Sequence, residues 1–406
     1  MKKFLTTLLI LTFLATPYSF AAPKKIITTP LKFVIDAGDK NQFSGLVLSQ
    51  KNILLFGSIS ESSTSSAYVR AIDKTGIEQW KLLLEAGAQE IATAGTVDSA
   101  GTIWIAGSFS KPLIDVVETA TSLPTINPDA VINEESQPIR ADMSSVAVWK
   151  ISPQGELLTS FNIDLDQPAL VTAIAIDKNG VSLAGNSNVG KGGFGILLNC
   201  SLTGVCNKPL NIGVTDTFLE GVLRSKEGGV ILIGNSTETF LAKKVQGVRD
   251  GIIVTVSKSG KISKVVRSSA AKASRNWGSA TATLFFGGEV ITGKKIESSV
   301  TAFSNTLIPS WTYRFATTGP IFNSNDATKT LYSFFASTSA ITNISGWNPK
   351  RASGLVLAFD SKGAVIGSYS AATVTQPRAA AYSKELGLVV AGVSGDTVSI
   401  FNLISR

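Results

Sequence analysis

The chain has 406 residues, 16% of them charged, with two cysteines and no histidine. The lack of histidine excludes Ser-His-Asp and Cys-His catalysis, histidine general bases and the commonest transition-metal sites, leaving carboxylate, Lys, Tyr or Ser chemistry. The formal charge of +8 comes from scattered basic residues, with no Lys/Arg stripe and stacking aromatics of the kind that would mark a nucleic-acid partner.

The chain opens with Lys2 and Lys3, an apolar run from Phe4 to Ala15, and small residues around Ser19-Phe20-Ala21. The run falls short of the ~20 residues a spanning helix needs, and the pattern predicts a secretory signal peptide over residues 1–21. Its removal takes two lysines with it and leaves +6 (8 − 2). No later run is long and apolar enough to span a membrane. Residues 22–406 are therefore expected to form one exported, monomeric domain, periplasmic, cell-surface or secreted.

Next comes an orphan strand, LKFVIDAGD, from Leu31 to Asp39. Hairpin units follow: Gly45 to Gly57, Ile91 to Gly107, Val171 to Gly185 and Gly221 to Gly234. Each is an apolar run, a polar turn with Asn or Gly, and a second apolar run ending in Gly, which is hairpin patterning. Self-similarity at roughly 50 residues predicts four-stranded blades. Third strands are predicted to begin at or near Ala67, Ser145, Gly193, Gly251, Ser299, Gly354 and Thr397. Second strands end in glycine at Gly57, Gly107, Gly185, Gly234, Gly293 and Gly392, and the copy around Ser339 to Gly346 departs from the pattern. The last copy stops after its third strand, and Leu31–Asp39 is similar to the fourth strand Trp80–Gly87. The N-terminal strand should therefore complete the C-terminal blade. The fold expected is all-β: a seven-bladed β-propeller of four-stranded antiparallel blades, with six or eight blades as the alternatives left open by the degenerate fifth and sixth copies.

Asp73-Lys74-Thr75-Gly76-Ile77-Glu78-Gln79-Trp80 matches a D-x-x-G-x-x-x-W turn ahead of an outer strand. In this the chain resembles the bacterial secreted propeller repeats of the SBBP or WD40-like type. The resemblance covers nearly all of residues 22–406 but is generic. By this reading the other copies lack the Trp, and the GH…WD signature of WD40 blades is absent. What it implies is an exported or surface interaction role; it carries no catalytic residues.

Cys200 and Cys206 flank the turn Ser201-Leu202-Thr203-Gly204 and are expected to form a disulfide across a hairpin. Three insertions fall between second and third strands and should decorate one rim. Residues 111–143, in the second blade, carry Asp115, Glu118, Glu134 and Glu135; residues 238–249, in the fourth, carry Lys243, Lys244 and Arg249; residues 345–351, in the sixth, carry Trp347, Lys350 and Arg351. Trp347 would be either an exposed stacking surface or a core residue; Trp80, Trp104, Trp149, Trp277 and Trp311 lie in predicted strands and should pack between blades.

Gly190 to Gly195 fits G-x-G-x-x-G but precedes a strand, and Ser108 to Lys111 fits S-x-x-K but ends one, so neither sits in the context its chemistry needs. Asp73, Asp98, Asp177 and Asp360 fall in turns, where Asp caps its own backbone. The acidic insertion lacks calcium-loop spacing. No catalytic residue, metal site or cofactor is assigned. The expectation is a noncatalytic binding or scaffold protein using the loop-bearing rim on a protein or envelope glycan. The alternatives are a carboxylate-based carbohydrate-active enzyme at the channel mouth and a structural envelope component.

Overall fold

The computed structural model describes residues 25–61, 64–111, 142–188 and 192–403, and among them every regular element is a strand. The expected signal peptide, Asp115, Glu118, Glu134, Glu135 and Lys191 lie outside the described residues. Two strands, β1 (Ile26–Pro30) and β2 (Lys32–Asp39), precede the first blade. Blade 1 is β3 (Phe43–Ser49), β4 (Asn52–Glu61), β5 (Thr64–Ile72) and β6 (Glu78–Leu84). Blade 2 is β7 (Gln89–Val97), β8 (Ile103–Ser110), β9 (Ser145–Ile151) and β10 (Leu157–Asp164). Blade 3 is β11 (Ala169–Asp177), β12 (Gly180–Asn188), β13 (Gly193–Cys200) and the short β14 (Leu210–Ile212). Blade 4 is β15 (Thr217–Arg224), β16 (Val230–Ser236), β17 (Asp250–Val256) and β18 (Ile262–Ser268).

Blade 5 is β19 (Ser274–Ala280), β20 (Phe285–Thr292), β21 (Lys295–Phe303) and the first half of β22 (Pro309–Asn325). That long strand pairs with β21 up to Ala316, then turns to pair with the next blade from Thr317. Blade 6 continues with β23 (Leu331–Ser337), a two-residue β24 (Ile344–Ser345) in its loop, β25 (Ser353–Phe359) and β26 (Val365–Ala371). Blade 7 is β27 (Gln376–Ser383), β28 (Gly387–Ser394) and β29 (Thr397–Leu403), completed by β2.

The pairings make seven antiparallel four-stranded units. Their first strands touch in succession, β3 to β7, β11, β15, β19, β22 and β27, and β27 returns to β3. Closure is as the sequence predicts: β2 runs antiparallel to β29, with Lys32 opposite Asn402, Phe33 opposite Phe401 and Asp36 opposite Ser399. The Phe33 and Phe401 rings meet edge to face at 5.7 Å. Unforeseen in the sequence, β1 adds a parallel fifth strand outside β26 and bridges to β24.

Second and third strands are sandwiched by neighbouring blades on both faces, which explains their continuous apolar runs; β8 is buried along its whole length. Outer strands such as β10 are largely exposed. Seven apolar clusters fill the seven blade-to-blade interfaces.

The strand-ending glycines have a steric cause. First strands carry an extra residue near their N-terminal ends: Ser44, Thr93, Thr172, Glu220, Gly278 and Arg378 in blades 1 to 5 and 7. These bulges push a carbonyl towards the second strand. A Cβ on Gly57, Gly107 or Gly234 would lie 1.8–1.9 Å from such an oxygen. The fifth copy corrects the sequence reading. Gly288, 1.8 Å from the Asn276 oxygen by the same construction, holds that place, whereas Gly293 sits in a turn at φ 58°.

The D-x-x-G turn also has a packing role. Asp73 Oδ1 accepts the N–H groups of Thr75 and Ile77, and Gly76 adopts φ 90°. In blades 1, 2 and 5 an aromatic residue beyond the turn seals the next blade's turn. Trp80 lies over Gly155 and its indole N–H donates to the Pro153 carbonyl at 3.3 Å. Phe161 covers Gly204 in the same manner, and Trp311 covers Gly363. Trp311 follows Ser304 at the same spacing as Trp80 follows Asp73, with Leu307 (φ 58°) in place of the glycine, so a second copy does hold the Trp.

Candidate functional site

One face of the ring carries the second-to-third-strand loops and the blade-to-blade connections. The blade 4 loop, residues 237–249, is built on a buried ion pair. Asp250, fully buried, accepts Arg267 Nε at 2.9 Å and the N–H groups of Gln246 and Gly247. Arg267 spends its remaining donors on the carbonyls of Glu238 and Ser236. Burial opposes the charge on Asp250, but the Arg267 guanidinium and the two amides outweigh it and hold the carboxyl below its usual range. Glu238 accepts the N–H groups of Val214, Thr215 and Asp216 and the Thr217 hydroxyl, locking the loop to the blade 3–4 connection.

At the loop tip, Phe240 and Lys243 exchange backbone hydrogen bonds around Leu241 (φ 44°) and Ala242 (φ 63°). Two consecutive left-handed residues usually call for Asn-Gly; side chains there cost about 1–2 kcal/mol each. The turn projects Leu241, 57% exposed, beside the exposed Lys243 and Lys244. Lys243 and Lys244 line a shallow depression with Gln246 and Arg267.

The other predicted residues separate. Arg249 is a structural member: it pairs with Asp216 at 2.6 Å, donates to Asn235 at 2.8 Å and lies over the Phe218 ring. Trp347 is buried in the blade 5–6 cluster, which decides between the two alternatives in favour of the core and removes it as an exposed stacking surface. Lys350 and Arg351 are exposed. Cys200 and Cys206 form the disulfide, S–S 2.10 Å, across the blade 3 turn. Gly193 to Gly195 open β13 and meet no helix; Ser108 is buried, with its hydroxyl accepting the Val171 N–H.

Sequence reasoning missed the inner edge of this face. Glu220 occupies the blade 4 bulge on the innermost strand, and Glu289 follows on β20. The Glu289 Oε1 lies 3.3 Å from where a Cβ on Gly319, in the adjoining β22, would stand. Neither carboxylate has a hydrogen bond or ion pair among the described residues. Burial, and then the charge of Glu289, push the Glu220 carboxyl up to about 7; burial also raises Glu289. Burial brings the nearby Arg275 down to about 10. The signal was present: Glu220 stands where the sister hairpins have Thr93 and Thr172.

This makes a pH prediction. The folded Glu220 carboxyl keeps its proton up to about pH 7, whereas in the unfolded chain it ionises near its ordinary 4.5. The folded state binds more protons between those values, so stability falls as pH rises through them, by up to about 3 kcal/mol. Glu220→Gln removes this dependence. Urea unfolding of native and variant proteins at pH 4 and pH 8 should show the variant's relative stability growing by about that amount at the higher pH. A pH-independent difference would refute it.

Among the described residues no cluster of three or more metal-ligating side chains occurs, and no helix is long and apolar enough to cross a membrane. No protein-family model matches the chain, and no curated protein matches it. Several solved structures are similar to it at low identity. Chaetomium thermophilum Sqt1 is 12% identical, with 93% of this chain and 99% of that chain covered and a TM-score of 0.49. The Dos1 propeller is 10% identical, covering 92% and 81%, with a TM-score of 0.46. A protein of unknown function from Dyadobacter fermentans is 11% identical, covering 94% and 98%, with a TM-score of 0.47. Likeness at this level says nothing of activity, and the propeller assignment stands on the strand pairing itself.

Proposed function

We propose that the protein is an exported, noncatalytic binding scaffold that presents its loop-bearing face to a protein or an envelope glycan. The observation that carries this reading is the blade 4 loop tip. A turn held left-handed at two non-glycine residues is maintained by a buried ion pair and a carboxylate with three backbone donors, and it projects Leu241, Lys243 and Lys244 outward. Strain of this kind persists where the surroundings over-determine it, and it clusters at recognition sites. The exposed Lys350 and Arg351 of the blade 6 loop lie on the same face.

The test is affinity capture from the native envelope and a glycan array, with the wild type beside Leu241→Asp/Lys243→Glu/Lys244→Glu. The reading predicts a ligand retained by the wild type and lost, by at least about tenfold, in the variant. If every ligand retained by the wild type is retained equally by the variant, the reading fails. A second reading, a carboxylate-based hydrolase or lyase, is favoured by the coupled Glu220 and Glu289, since a carboxyl protonated near neutrality suits a general acid. Polysaccharide cleavage abolished by Glu220→Gln would establish that reading over the first.

A further inference from the structure

The opposite face carries a cleft that breaks the pattern of the ring. In blades 1, 2, 5 and 7 the fourth strand puts a bulky residue over the next blade's turn glycine: Trp80 over Gly155, Phe161 over Gly204, Trp311 over Gly363 and Ile35 over Gly76. Blade 3 has no such residue. Its fourth strand is only Leu210–Ile212, preceded by Pro209, and the Cys200–Cys206 disulfide closes the turn on itself. The corresponding blade 4 glycine, Gly260, has nothing within 4 Å of its would-be Cβ. The space left open is a solvent-facing cavity of about 650 Å³ between blades 3 and 4.

Its lining is basic and polar. Lys178, Lys226 and Lys258 converge from three different turns, all exposed, and none is ion-paired among the described residues. The aliphatic stem of Lys258 passes beside Gly228, with its Cδ 3.4 Å from where a Cβ on that glycine would stand. Arg224, with its side chain 9% exposed, lies at the floor and is neutralised by Asp177 at 2.8 Å. Glu227 is the only other acid at the cavity, so two positive charges remain uncompensated. Asn179, Asn207 and Ser201 add amides and a hydroxyl. The lining contains no aromatic ring to stack a base, and Val205 is its one strongly exposed large apolar side chain.

We propose that this cleft binds an acidic oligosaccharide, a sugar chain bearing carboxylate or phosphate groups. A concave site of one sign focuses its field and attracts counter-charged ligands. Lysines suit scattered single anions, whereas planar bidentate recognition would call for Arg. Amides and hydroxyls match sugar hydroxyls, and without stacking rings nucleic acid has no hold beyond its charge.

The test is fluorescence polarisation on the full chain with four labelled probes: oligogalacturonate, an oligomeric glycerol phosphate bearing sugars, a neutral oligosaccharide of equal length and single-stranded DNA. The proposal expects one or both acidic glycans to bind at least about tenfold more tightly than the neutral glycan and the DNA, and binding to weaken as salt rises. The tighter of the two identifies the anion. Lys178→Glu/Lys226→Glu/Lys258→Glu, with unchanged circular dichroism, should lose at least about tenfold in affinity. The opposite-face Lys243→Glu/Lys244→Glu should not, which separates this site from the loop-bearing face. No acidic glycan bound, equal binding of DNA or neutral glycan, or an unaffected triple variant would each overturn it.

Discussion

Removing residues 25–39 will open the ring. The third strand β29, whose Val398 and Ile400 are fully buried, would become a bare edge. Leu31 would leave the blade 6–7 cluster, and Val34, Ile35 and Ala37 the blade 7–1 cluster. Ile35 also seals the Gly76 turn of blade 1, as Trp80 does one blade on. Apolar burial alone, at up to about 1.5–3 kcal/mol for each large side chain, puts the loss above about 4 kcal/mol. An unpaired apolar edge also recruits other chains. Urea unfolding and sedimentation should report a destabilised, self-associating protein. A monomer as stable as the full chain would show that β2 is dispensable.

Asp250→Ala carries the next largest effect. It leaves the Arg267 guanidinium, itself 6% exposed, buried without its counter-charge, and orphans the N–H groups of Gln246 and Gly247. Breaking one side of a buried pair costs about 3–5 kcal/mol. Because the folded Asp250 carboxyl is held below its usual range, its contribution is full at neutral pH. It fades only as acid protonates the folded form, so the gap between variant and native proteins should narrow on acidification. A gap under about 1 kcal/mol at pH 7 in urea unfolding would mean that the loop is not anchored as described.

The architecture was legible because each blade repeats one local rule. Alternating runs joined by Asn and Gly turns located seven third strands, and the similarity of Leu31–Asp39 to Trp80–Gly87 located the closing strand. What failed was specific. Gly293 and Gly288 are indistinguishable in sequence because a turn glycine and a bulge-facing glycine look alike there, and only the Asn276 carbonyl tells them apart. The sequence leaves Trp347 open between exposed and core, because burial is settled by what packs from blade 5. The fusion of two blades through β22 hides in one continuous strand.

The functional side chains were harder to read for a related reason. Lys243 and Arg249 look equivalent in sequence; Asp216, more than thirty residues earlier, makes only one of them structural. Lys178, Lys226 and Lys258 looked like scattered surface charge, and it is the shortness of β14 that gathers them around a gap.

The closed ring is most directly tested by cysteine pairing across its seam. Asp36 and Ser399 stand opposite one another on β2 and β29. In an Asp36→Cys/Ser399→Cys variant, mild oxidation followed by peptide mass mapping should find an intramolecular 36–399 bridge beside the native 200–206 bridge. Free thiols at both positions, or bridges only between molecules, would contradict a wheel fastened by its own N-terminal strand.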